Sequence, residues 1–130
     1  MFPSQAPQVY TFNVAHDPAA DQVYPLFQVP PGQQFTITGA RACCADVVAA
    51  STANYFTLAL QNGGTAGTGT TAVAAAIGGT IGWASLVWKP FTVSADQLDA
   101  GESLNLAYDE TGTGTFGVVN VQVEGVWGEA

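Results

Sequence analysis

The sequence predicts an all-β fold: an antiparallel β-sandwich of about eight strands with jelly-roll connectivity. Three observations carry this. Short segments alternate apolar and polar residues, Gly-rich turns separate them at close spacing, and no convincing amphipathic helix occurs between them. "QVYTFNV" (8–14) alternates, with Tyr10, Phe12 and Val14 on one face and Val9, Thr11 and Asn13 on the other. "DQVYPLFQV" (21–29) is β-rich, but Pro25 removes a ladder donor and marks an edge strand or a bulge. The turn "PPGQ" (30–33) leads into "QFTITGARACC", where Phe35 and Ile37 share a face and Gly39 suits a bulge. "NYFTLALQ" (54–61) sets Phe56, Leu58 and Leu60 against Tyr55, Thr57 and Gln61.

The second half continues the pattern. Residues 70–77 read as a strand of small residues. "GWASLVWKPFTV" (82–93) reads as a strand apolar on both faces until Lys89-Pro90 interrupts it. "TVSADQLDAG" (92–101) suits one helical turn, with Ser94 as N-cap and Gly101 as stop. "ESLNLAYDE" (102–110) turns Leu104, Leu106 and Tyr108 inward. After a "TGTG" turn, the strand "TFGVVNVQVEGVW" (115–127) places Val119, Val121, Val123 and Trp127 on one face and Phe116 and Val118 on the other.

A chain of 130 residues fits one domain, and 48% hydrophobic residues fill its core. We divide it into an extended N-terminal arm (1–8) carrying Phe2, Pro3 and Pro7, and a single sandwich domain (9–130). Only 9% of residues are charged, against roughly 25% in ordinary domains. Ten acids face two bases, Arg41 and Lys89, for a net charge of −8. Nucleic acid as a partner needs clustered Lys and Arg, and an anionic membrane surface attracts polybasic segments, so both are disfavoured. No run approaches the roughly 18 apolar residues that span a bilayer. "MFPSQAPQVYTF" has neither a positive start nor a hydrophobic block, so a signal peptide is not expected and synthesis in a cytosol is. Charge depletion is also the mark of interface cores.

Several motifs invite chemistry. Gly64 to Thr71, "GTAGTGTT", matches G-x-x-x-x-G-K-[ST] except that Thr70 replaces the lysine. Gly67, Gly69 and Ala72 match G-x-G-x-x-A, which requires a helix and a parallel sheet. The blander reading, a glycine loop feeding an extended strand at 71–77, is the expectation. Asp96, Asp99 and Glu102 cluster, as do Asp109 and Glu110; calcium binding or a carboxylate pair for glycoside hydrolysis are the sharp readings, solvated turns the expected one. His16 is the single histidine, and no G-x-S-x-G elbow supplies a nucleophile, so no enzyme, cofactor or metal site is expected. Cys43 and Cys44 are adjacent, a strained spacing for a disulfide, and are expected as free thiols with at least one buried.

Tryptophan is the most informative residue. On an unbroken strand Trp83 and Trp88 face opposite sides, so one enters the core and the other needs a different cover. Phe2, Trp83, Leu86, Trp88 and Trp127 are therefore the interface candidates. A sugar platform and cover by a loop of the same chain remain alternatives.

The short arm, "VYTFNVAHDPAADQVYPLFQVPPGQQFTITGA", a glycine-threonine midsection and "LDAGESLNLAYDETGTGTFGVVNVQVEGVW" together resemble the jelly-roll head decoration, or cement, proteins of tailed bacteriophages. The most specific piece is "AGESLNLAYDETGTG". The resemblance implies a non-enzymatic virion protein, made in the host cytoplasm, that sits on the capsid exterior. It implies homotrimers that bind the major capsid protein and stabilise the expanded shell. The alternative that shares this style is a carbohydrate- or receptor-binding module of a head or tail fibre.

Overall fold

The computed structural model describes residues 6–15, 21–112 and 118–129. Every regular element among them is a strand: β1 (Gln8–Ala15), β2 (Gln22–Gln28), β3 (Gln33–Cys44), β4 (Tyr55–Gly64), β5 (Thr71–Gly78), β6 (Trp88–Pro90), β7 (Gln97–Leu98), β8 (Ser103–Thr111) and β9 (Val118–Glu129). Two antiparallel sheets pack face to face. One has the order β1-β9-β3-β6, with β7 also on β3; the other has the order β2-β8-β4-β5. The chain changes sheet at nearly every connection, and only β4–β5 is a hairpin within one sheet. Strands distant in sequence thus become neighbours, which is the jelly-roll arrangement of two Greek keys.

The period-2 alternation drives this packing. Val119, Val121 and Val123 of β9 are fully buried, as are Leu58 and Leu60 of β4 and Leu104 and Leu106 of β8. Each such side chain contributes about 1.5–3 kcal/mol of burial. Pro25 lies on the edge strand β2, and the ladder with β8 shifts register between Pro25 and Phe27. A second bulge falls between Ile37 and Gly39 on β3. Residues 71–78 are extended and pair antiparallel with β4, so neither phosphate-loop motif is followed by the helix it needs.

Two expectations are corrected. Residues 82–93 do not form one strand: Trp83 makes an isolated bridge with Val48, residues 84–87 turn, and only Trp88–Pro90 joins β3. Residues 92–101 contain no helical turn. Leu98 is fully buried and Gln97–Leu98 pairs with Phe35–Thr36, because a buried anchor on the open edge of β3 outweighs one turn of weak helix. Ser94 donates its hydroxyl to the Val73 carbonyl (3.3 Å) instead of capping a helix.

The described loops gather at two ends. Segments 45–54 and 79–87 link strands at one end, and segments 29–32, 65–70 and 91–102 at the other.

Candidate interaction surface

At the first loop end, two loops are zipped together. The Val48 and Trp83 backbones exchange N–H···O bonds of 2.7 Å, and Ser51 N–H donates to Thr80 O (3.0 Å). Gly82 permits the approach: it has φ of 78°, and a Cβ there would lie 2.6 Å from Val48 O. Trp83 is the pin of this assembly, only 3% exposed. Phe56 stacks near-parallel to it at 6.4 Å between ring centroids, and Lys89 Nζ lies over the indole at 4.9 Å. The indole Nε1 donates to Val87 O (2.8 Å) and Lys89 Nζ to Gly82 O (3.0 Å), so the loop closes around its own tryptophan.

This closure leaves apolar side chains outside. Val47, Ile81, Leu86, Val87 and Trp88 are 69%, 76%, 73%, 47% and 40% exposed, and all belong to the segments of this one end. Leu86 has φ of 62°, the single non-glycine residue with positive φ among the described residues. Its N–H donates to Cys44 O (2.9 Å), which holds the strained residue in place. Backbone strain of this kind persists where surroundings over-determine it and often marks function.

Charged side chains at this end are few: Asp46, exposed beside Val47, and Lys89. The chain's two bases are both engaged: Lys89 as above, and Arg41 with Glu124 (3.5 Å) and Gln122 (3.0 Å). Three of the acids make short-range contacts. Asp99 N–H donates to Glu102 Oε1 (2.7 Å), Gln97 Nε2 to Asp99 Oδ1 (2.7 Å), and Tyr108 OH to Glu110 Oε2 (3.0 Å). Among the described residues no group of three His, Cys, Asp or Glu side chains is placed to hold a metal ion. Cys43 and Cys44 are free and buried. Burial, reinforced by Cys43, pushes the Cys44 thiol up to about 12, so it is protonated and unreactive at neutral pH.

The interface candidates therefore separate. Leu86 and Trp88 lie exposed at the same end as Val47, Ile81 and Val87, while Trp83 is buried in the core beside Phe56. Trp127 is half-buried against the core in an aromatic cluster, 4.7 Å from Phe35 between centroids, and donates Nε1–H to Tyr10 OH (2.7 Å). Phe2 and His16 lie outside the described residues. Val47 and Ile81 were not singled out from the sequence, because a lone apolar residue in a loop carries no periodic signal. Compared with known proteins, the sequence matches no protein-family model and no curated protein.

Proposed function

We propose that this chain is a non-catalytic structural subunit that self-associates through its apolar loop end. In the more specific form, it is a capsid decoration protein that sits as a homotrimer on the outside of a phage shell, binds the major capsid protein and stabilises the shell. The observation that carries the reading is the exposed, uncharged set Val47, Ile81, Leu86, Val87 and Trp88 on one end of a sandwich that has no shortage of core. Exposed apolar residues of this kind mark interaction sites, and the charges beside them are few: Asp46 before Val47, and Lys89, which is held by Gly82 O. Jelly rolls recur in viral capsid proteins and in lectins, so the fold agrees with the virion reading without selecting it.

Light scattering on the purified chain, with and without Leu86→Asp and Trp88→Ser together, tests the first part. A trimer that falls to monomer in the double variant is the expected result. Co-sedimentation with expanded phage shells, and a rise in shell melting temperature, tests the second. A strict monomer with no affinity for shells overturns the proposal.

A further inference from the structure

At the opposite end of the sandwich, the bulged segment Pro25–Gln28 of β2 and the loop Thr65–Gly67 border an open pocket of about 330 Å3. Its remaining lining comes from Ser103 and Asn105 of β8. That volume lies at the lower end of the ~300–1,000 Å3 range of small-molecule sites. Asn105 is 2% exposed, the single buried polar residue of the described chain. Its Nδ2 donates to Gly67 O (3.0 Å), which fixes the amide orientation and leaves Oδ1 as the atom without a partner. Ser103 Oγ, buried on the same strand two residues away, also has no partner. Buried polar atoms without partners are rare and costly, so two at one pocket are informative.

We propose that this pocket binds a single neutral sugar ring, whose hydroxyls donate to Asn105 Oδ1 and exchange a hydrogen bond with Ser103 Oγ. The lining supplies the selectivity. No charged side chain borders the pocket, which disfavours ionic ligands, and the chain's charge of −8 disfavours anions further. The unmet capacity on Asn105 is an acceptor, so the ligand must bring donors. Pro25 and Leu26 provide an apolar wall suited to the C–H face of a pyranose. The glycine loop forms one rim of the pocket. Gly64 and Gly67 have φ of 66° and 81°, and Gly67 N–H turns back to Gly64 O at 3.4 Å. The Asn105–Gly67 bond holds this loop in place, and the sugar enters from the open outer side with that bond kept. The site lies at the other end from the self-association surface and does not depend on it.

Saturation-transfer NMR on the full chain with a panel of uncharged hexoses and N-acetylhexosamines is the test, with the Asn105 side-chain amide followed as ligand is added. Transfer to ring protons together with a shifted Asn105 amide is expected. Ser103→Ala separates binding from structure: removing an unpartnered buried hydroxyl should leave the melting temperature equal or higher, yet weaken sugar affinity at least tenfold. Ala66→Trp on the exposed loop should block the pocket with the fold intact. The absence of transfer from every sugar, binding indifferent to both variants, or a crystal structure in which ordered water alone satisfies both atoms overturns the proposal. Transfer from uncharged peptides in place of sugars overturns it in favour of a protein partner.

Discussion

The Trp83 indole donates to the Val87 carbonyl, 2.8 Å away and four residues on, so one side chain ties down the loop that projects Leu86 and Val87. The packing supplies most of its stabilising effect and the hydrogen bond supplies the loop's shape. Trp83→Ala should cost about 3–5 kcal/mol, as expected for a large buried aromatic. Trp83→Phe keeps a ring against Phe56 and loses the donor, so it should cost about 1–2 kcal/mol. Urea titration gives both values. Limited proteolysis gives the second readout: Trp83→Phe should expose residues 84–87 to cleavage well below the global unfolding transition.

Leu86 combines a positive φ with 73% exposure, so its side chain adds little to the protomer while its backbone costs it. A left-handed conformation costs an L-residue about 1–2 kcal/mol, and glycine's extra freedom in the unfolded chain takes back about 0.5–1 kcal/mol. Leu86→Gly should therefore leave protomer stability unchanged or raise it by up to about 1.5 kcal/mol. Self-association should weaken at the same time. Thermal melts of dilute protein, paired with sedimentation equilibrium, check the two halves, and a loss of protomer stability beyond 1 kcal/mol would contradict the strain argument.

The sandwich was legible because its strands alternate. Phe56, Leu58 and Leu60 announce a face whatever their partners are, and the same holds for Val119, Val121 and Val123. The stretch 82–93 misleads for the opposite reason. A loop that wraps its own tryptophan is apolar on every side, and period 2 says nothing where both faces are apolar. Interior indoles and interface indoles also look alike in sequence; only the Val87 carbonyl and the Lys89 stem, brought back by the turn, show that Trp83 is an interior one. Asn105 and Ser103 fall on the outward face in the alternation of β8, which reads as solvent. Their burial comes from the glycine loop 65–67, an arrangement with no local signature.

Gly125 illustrates a constraint that only packing reveals. It lies on β9 between Val123 and Trp127 with ordinary backbone geometry, and the ladder pairs it with Ile37. A Cβ at this site would lie 2.5 Å from Thr36 O and against the Phe35 ring edge, Phe35 being fully buried. Gly125→Ala must displace backbone or a core aromatic, and should cost about 1–3 kcal/mol as an overpacking substitution. Gly128, on the same strand, has open space around its Cβ position, so Gly128→Ala should be close to neutral. Denaturant midpoints of the two variants make the comparison, and equal effects would remove the packing explanation.

Cys44 gives the protein a predictable alkaline weakness. Its folded thiol titrates at about 12 against 9.0 for an ordinary thiol, chiefly because burial disfavours the thiolate. A folded pKa raised above the unfolded value means that the unfolded chain sheds the proton first. The stabilising contribution is therefore complete below pH 9 and is lost as pH rises from 9 towards 12. The unfolding free energy of the wild type should fall more steeply across that window than that of Cys44→Ala, while both respond alike between pH 6 and 8. Because the thiol is protonated and enclosed, reaction with a thiol reagent at pH 8 should proceed only at the rate of unfolding for Cys44, and fast stoichiometric labelling of it in the native protein would show that the strand end opens on its own.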